Sequence, residues 1–205
     1  METKKLHEKE LFQLIQSIFN REVVAFPTDT VYGIACSPKY EDAIEKMKWV
    51  KGRDGEKPFP MMVSSKEQIA EIAEITPVSI PVIDHFLPGA ITIVLKKKST
   101  ISDHVTCGKQ TIAIRMPDDE LVLSILQATG PLLVTSANLS GMPTGHTSEE
   151  VLQQLDGRIS HILIGESGQA SASTIVDCSN NELKILREGP ITLEELKKAH
   201  LELSM

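Results

Sequence analysis

The segment that most constrains this chain is Val23–Cys36, VVAFPTDTVYGIAC. Val23, Val24, Ala25 and Phe26 form an apolar strand, and Pro27 ends it because proline has no N–H to give to a ladder. Thr28, Asp29 and Thr30 follow in succession, then Val31, Tyr32 and Gly33. Hydroxyls and a carboxylate are thereby placed at the end of a buried strand, where α/β proteins tend to hold ligands. The same residues also read as a plain Asp/Thr turn, so the rest of the chain has to decide.

On either side of this segment the apolar period switches between helix and strand. Leu11, Leu14, Ile15 and Ile18 predict a helix within His7–Asn20, and Ile44, Met47 and Val50 another over Tyr40–Val50. Met61–Val63 reads as a short strand, and Ser65 with Gln68 caps a helix that runs to Ala73. Thr76–Leu87, which holds Pro77 and Pro81, reads as a short or broken helix. Ile91, Ile93 and Leu95 alternate with Thr92 and Val94 in a strand whose end, Lys96-Lys97-Lys98, is expected to be solvated. Thr111–Met116 alternates again, so Thr111 and Arg115 share a face about 13 Å apart. Asp118 is expected to cap a helix to Thr129, and Thr147 with Glu150 one to Leu155. Further strands are expected at Pro131–Thr135, His161–Ile164, Thr174–Asp177 and Leu183–Arg187, with Thr192 and Glu195 capping a terminal helix. Nothing resembling a linker or an internal repeat interrupts this alternation. The expected architecture is one α/β domain over residues 7–200, a twisted mixed sheet with helices packed around it.

Charge and cysteine content narrow the partners. With 28 acidic against 21 basic residues the net charge is −7, which argues against a coat for nucleic acid but leaves room for a local basic pocket. Cys36, Cys107 and Cys178 are odd in number and widely spaced, so neither a disulfide framework nor a zinc site is indicated. No stretch approaches the ~18 apolar residues of a membrane span, and METKKLHEKE lacks the apolar core of a signal peptide. The cytoplasm is the expected compartment, with no membrane partner.

Several chemistries can be struck out, since GxxxxGK[ST], GxGxxG, HExxH and GxSxG are all missing. What remains is a set of cations and hydroxyls near strand ends. Lys51, Arg53 and Lys57 share one glycine-containing loop, and Arg115 and Arg187 come from separate strands. Ser136 and Asn138 follow a strand, while Ser173 precedes one. Each cation alone reads equally well as a solvated surface charge. Together they suit a polyphosphate, because guanidinium forks and ammonium charges bind its oxygens while hydroxyls and amides orient the rest. Nucleotidyl transfer relies on positioning and charge stabilisation, so it needs no evident catalytic histidine.

The stretches FPTDTVYGIAC, KGRDGEKP with its K-x-R, PGAITIVLKK, TIAIRMP, LLVTSANLSG, STIVD and ILREG occur in one order along almost the whole chain. In that combination the sequence resembles the YrdC/TsaC family, the threonylcarbamoyl-AMP synthases of tRNA t6A modification, in a short form without the extra C-terminal domain of longer members. The resemblance implies the YrdC-like α/β twist. It also implies that L-threonine, bicarbonate and ATP, with Mg2+, give L-threonylcarbamoyl-AMP and pyrophosphate. Thr30, Arg115, Ser136 and Ser173 would then fall on threonine-contacting positions, and Arg115 also suits an amino-acid carboxylate by its forked donors. Arg53, Lys57, Thr111, Asn138, His146 and Arg187 would fall on ATP-contacting ones, and Lys51 with Arg53 would make the catalytic K-x-R pair. Two positions depart from the pattern: Met62 replaces a histidine of many longer members, beside the amino acid, and His146 stands where a small hydroxyl residue is usual.

A second reading from another class is a double-stranded-RNA or tRNA-binding module of the same fold. A phosphate-dominated binder should lose affinity steeply with salt, and the acidic composition speaks for weak or indirect tRNA contact. A third is a carbamoyl-transfer domain like those of hydrogenase maturation proteins, whose accessory acylphosphatase and zinc-finger regions find no match here. The enzyme reading adds downstream threonylcarbamoyl-transferase enzymes as partners.

Overall fold

In the computed structural model, which describes residues 2–52, 57–168 and 172–202, the short apolar segments pair into one mixed sheet. Its described strands are β1 (Lys4–Leu6), β2 (Val24–Phe26), β3 (Gly33–Cys36), β4 (Met61–Met62), β5 (Ile91–Lys96), β6 (Thr111–Arg115), β7 (Leu132–Ser136), β8 (His161–Leu163), β9 (Thr174–Asp177) and β10 (Lys184–Arg187). The helices are α1 (Leu11–Phe19), α2 (Glu41–Lys51), α3 (Lys66–Ile72), α4 (Ser79–Phe86), α5 (Asp103–Thr106), α6 (Glu120–Thr129), α7 (Ser148–Leu155) and α8 (Leu193–Glu202). Across the sheet the strands run β1-β8-β2-β3-β7-β4-β6-β5-β9-β10.

The opening segment holds two strands where the sequence shows one. β2 and β3 form an antiparallel hairpin, with Val24 opposite Ala35 and Phe26 opposite Gly33, and β3 takes β7 on its other side. Gly33 belongs there for lack of room: a Cβ would lie 2.9 Å from Val134 Cγ1. Pro27–Tyr32 becomes the loop between the two strands, and its Tyr32 is fully buried, its hydroxyl donating to the carbonyls of Leu163 (2.7 Å) and Gly165 (3.0 Å).

Because side chains alternate along a strand, each strand supplies two cores. Val23 and Ala25 join a large core that also takes Ile44 and Met47 of α2, Ile69 of α3, Val82 of α4, Val151 of α7 and Leu196 of α8. Val24 and Phe26 face the other way, into a smaller core with Leu14 and Ile18 of α1 and Val122, Ile125 and Leu126 of α6. That second face is covered across β2, β7 and β4 but only partly across β6, β5 and β9. There Ala113, Val94 and Ile175 stay half-buried while their sheet neighbours Ile112, Ile93 and Val176 are buried on the large-core side. The open half of this face holds the site described below.

Local signals place most elements. Thr147 and Glu150 make both halves of a capping box at α7, Ser65 Oγ accepts the Gln68 N–H at α3, and Thr192 with Glu195 closes the start of α8. At α6 the cap is Asp119, whose Oδ1 accepts the Val122 N–H at 3.0 Å; Asp118 lies one residue outside. The lysine run also departs from expectation. Lys97 folds back, donating to the Ile101 carbonyl at 2.7 Å beside Asp103 at 3.0 Å, with its side chain only 8% exposed. Lys96 and Lys98 are the exposed members. β1, which the charged N-terminus conceals, pairs in parallel with β8.

Burial in the large core pushes the Cys36 thiol up to about 12. A folded-state value above the unfolded one means the contribution is complete below about pH 8.5 and is lost as pH rises toward 12. Urea titrations at pH 7.5 and pH 10 should therefore show native stability falling, with Cys36 accounting for about 2 kcal/mol at the higher pH. Cys36→Ala should recover that part of the slope, and an unchanged slope would show that the thiol does not stay neutral in the folded state.

Candidate functional site

On the open half of the sheet face lies a cleft of about 200 Å3. Its lining includes Thr30, Met62, Arg115, Ser136 and Ser173, all five positions expected at an amino-acid site, together with Arg187. They come from the β2–β3 loop, β4, β6, β7, the segment before β9, and β10. The cleft runs across the sheet face and is not confined to strand ends, because the loop after β2 folds back over the sheet to meet β6. Val134 and Ile175 complete an apolar portion beside Met62.

Arg115 anchors one side. Its Nη2 donates to both oxygens of Asp29, each at 2.8 Å, its Nη1 to Thr30 Oγ1 at 2.8 Å, and its Nε to the Gly89 carbonyl at 3.2 Å. Burial lowers the pKa of this guanidinium, and the Asp29 carboxylate opposes that shift, so the buried cation is compensated where it sits. Thr28 Oγ1 donates to the Val31 carbonyl and accepts the Thr30 N–H, which fixes the loop so that Thr30 meets Arg115.

The opposite side is built on Arg187. Its Nε and Nη2 donate to the Ser173 carbonyl at 3.1 and 2.7 Å, and Nη2 also reaches Ser173 Oγ at 3.3 Å. Ser173 Oγ lies 2.7 Å from Thr92 Oγ1. Burial lowers the Arg187 pKa first, and the positive charge of Arg115 lowers it further. Two guanidiniums that repel one another across a cleft make a site for an anion.

Lys51 does not line the cleft but is bonded to Ser136, which does. It is the last residue of α2, not a loop residue, and is only 4% exposed. Its ammonium donates to the Ser136 carbonyl (2.7 Å), Ser136 Oγ (3.4 Å) and Asn138 Oδ1 (3.1 Å). Asn138 Nδ2 in turn donates to the carbonyls of Leu139 and Met142, at 2.8 Å each. The lysine thus orders the turn that carries Ser136 and Asn138.

The remaining expected residues are spread more widely. Arg53 lies outside the described residues. Lys57 is exposed and lines no part of the cleft. Thr111 sits on the same sheet face as Arg115 but at the far end of β6, opposite Lys96, so it continues the open face away from the cleft. His146 stands behind the wall, where its Nδ1 meets Ser167 Oγ at 3.2 Å and the Gly168 carbonyl at 3.1 Å. A carbonyl only accepts, so Nδ1 carries a proton. Among the described residues no three His, Cys, Asp or Glu side chains converge as a metal site, and no helix is long and apolar enough to cross a membrane. Thr28, part of the Thr/Asp stretch after β2, lines the cleft as well, whereas Thr92 and Thr144 carry no site expectation from the sequence, although Thr92 has a signal: it is the one hydroxyl in an apolar strand.

The chain is similar to several known proteins. The family model Sua5_yciO_yrdC, described as telomere recombination, matches residues 16–189. A threonylcarbamoyl-AMP synthase of Bacillus subtilis (strain 168) is 36% identical over 195 residues; the match takes in 93% of this chain but only 56% of that protein. One from Vibrio parahaemolyticus is also 36% identical, over 86% of this chain and 97% of its own length. In three dimensions the chain superposes on P. abyssi Sua5, crystallised in complex with L-threonine, with a TM-score of 0.89 at 29% identity, covering 97% of this chain and 61% of that one.

Lys51→Ala should strand buried acceptors on Ser136 and Asn138 and cost about 1–3 kcal/mol in urea unfolding. The exposed Lys96→Ala is expected to cost at most about 0.5 kcal/mol. Equal stability of the two variants would show that Lys51 does not hold the turn.

Proposed function

The chain belongs to the Sua5/YciO/YrdC family, and from that premise we propose that it is an L-threonylcarbamoyladenylate synthase serving t6A modification of tRNA. The observation that carries the proposal is the cleft itself, in which Arg115 and Thr30 face Ser136, Ser173 and Arg187 across an apolar patch made by Met62, Val134 and Ile175. A small amino acid with one carboxylate, one hydroxyl and one methyl matches that lining group for group.

The stoichiometry of ATP, L-threonine and bicarbonate giving L-threonylcarbamoyl-AMP and pyrophosphate sets two bond changes. A C–N bond forms between the threonine amine and the bicarbonate carbon, with water leaving. An O–P bond then forms between a carbamate oxygen and the α-phosphorus of ATP, with pyrophosphate leaving. In this reading Arg115 holds the threonine carboxylate, while Thr30, Ser136 and Ser173 take its amine and hydroxyl. Met62 packs on the methyl, as a thioether can without donating a hydrogen bond. Arg187 and Asn138 serve the nucleotide, the role that the family resemblance also gives to Arg53, Lys57, Thr111 and His146. Lys51 supports the chemistry by fixing Ser136 and Asn138. Magnesium enters with ATP as part of the substrate. The unstable product passes to threonylcarbamoyl-transferring enzymes, tRNA contact is weak or indirect, and the protein works in the cytoplasm.

Pyrophosphate release is expected only when ATP, L-threonine and bicarbonate are all supplied. Release that persists without threonine would overturn the assignment. Arg53→Ala should lower turnover far more than Lys96→Ala, with roughly 1.5–3 kcal/mol of binding lost with the charge-assisted contact.

Selectivity offers a second check. One methyl in an apolar pocket is worth about 1–3 kcal/mol, so L-serine should be a poor substrate and not an excluded one. L-Valine should fare worse, because it leaves hydroxyl partners unpaired. Met62→Ala should narrow the threonine-to-serine ratio of kcat/KM, and an unchanged ratio would move the methyl away from Met62.

A further inference from the structure

Asp29 is the one charged group of the β2–β3 loop, and it turns away from the cleft that its neighbours Thr28 and Thr30 line. We propose that Asp29 is a positioning residue that acts through Arg115 and fixes both the direction and the net charge of the donor offered to the amino-acid carboxylate. This rests on the threonine reading above.

Direction follows from how the guanidinium is shared. Asp29 occupies Nη2 with both oxygens, and the Gly89 carbonyl occupies Nε. Nη1, which already donates to Thr30 Oγ1 at the cleft, is the nitrogen left to serve a ligand. Asp29 is itself held. Its Oδ2 accepts the Asp118 N–H at 3.3 Å, and its backbone packs so closely on Gly168 that a Cβ there would collide with the Asp29 carbonyl. The Gly168 N–H donates to the Thr28 carbonyl at 2.9 Å, which ties the loop from a second side. The carboxylate therefore orients Arg115 from a braced position; the side chains in the pair are 13% and 6% exposed.

Net charge follows from the second guanidinium. Arg115 and Arg187 both line the cleft, and the charge of Arg115 acts on Arg187. The Asp29 carboxylate offsets the charge of Arg115, so the two guanidiniums and the carboxylate together leave one positive charge where the amino acid and the nucleotide meet. Without Asp29 the cleft would hold two guanidiniums with no carboxylate beside Arg115, which favours a polyanion over a zwitterionic amino acid. Asp29 is thus assigned a part in selecting an amino acid against free phosphate or pyrophosphate at this end of the site.

The test is steady-state kinetics and threonine calorimetry on Asp29→Asn, Arg115→Lys and the double variant, with folding checked by circular dichroism. Asp29→Asn should raise KM for L-threonine about tenfold or more, leave KM for ATP within about twofold, and make inorganic pyrophosphate a stronger competitor of threonine. In the Arg115→Lys background the same change should add less than about twofold, since the effect runs through the arginine. Should Asp29→Asn fail to fold, Asp29→Glu keeps the charge but displaces it, and is expected to raise the threonine KM without strengthening pyrophosphate. A native threonine KM in either folded variant, or additive effects in the double variant, would overturn the inference while leaving the synthase reading intact. A native protein with no response to threonine would overturn that reading, and this inference with it.

Discussion

A sheet this wide has two faces to bury, and here the helices cover only one of them fully. The large core takes α2, α3, α4, α7 and α8, whereas α1 and α6 together reach only the β2, β7 and β4 side of the second face. An uncovered sheet face is costly if it is apolar, so residues there have to be small, polar or roofed by something else. Thr92, Arg115 and Ala113 meet that need on β5 and β6, and the Pro27–Tyr32 loop supplies part of the roof. The cleft is the consequence of unequal layering.

Electrostatics inside that cleft run against those of the whole molecule. The chain carries a net charge of −7, yet two guanidiniums line the cavity and the buried ammonium of Lys51 is bonded to Ser136 of its lining. Each cation has local compensation: Asp29 for Arg115, the Ser173 carbonyl for Arg187, and the Ser136 carbonyl with Asn138 for Lys51. Buried charge without such partners would cost several kcal/mol. The compensation comes from hydroxyls, amides and carbonyls more than from acids, so the site keeps a positive field while its cations stay satisfied.

Elements with strong local grammar were legible in the sequence. The Ser65 cap of α3, where Gln68 reaches back to Ser64 and not to Ser65, the capping boxes at α7 and α8 and the alternation of β5 and β6 place those elements to within a residue or two. β1 and β3 were not, for a shared reason. Lys4–Leu6 and Gly33–Cys36 are short, with too few side chains to show a period, and their strand identity comes from distant partners, β8 and β7. The same non-locality hid the shape of the site. Thr30, Met62, Arg115, Ser136, Ser173 and Arg187 could be named one by one, but their convergence depends on a strand order that no local pattern encodes. Lys97 fails in the opposite sense, since a lysine run reads as solvated until a following turn offers the Ile101 carbonyl and Asp103.

The strand order also bears on how the chain can be assembled as it is made. β1 precedes the other described strands in the chain, yet its partner is β8, and Thr3 beside it bonds to Asp156 and Ile159. Until β8 has been made, Leu6 has no strand to pair with and α1 has only part of its floor. Contacts of such long sequence separation slow folding, because loop closure must precede the contacts that reward it. β1 is therefore synthesised well before its partner and docked late, and during that interval its apolar side chain and the underside of α1 are natural clients for whatever shields nascent chains.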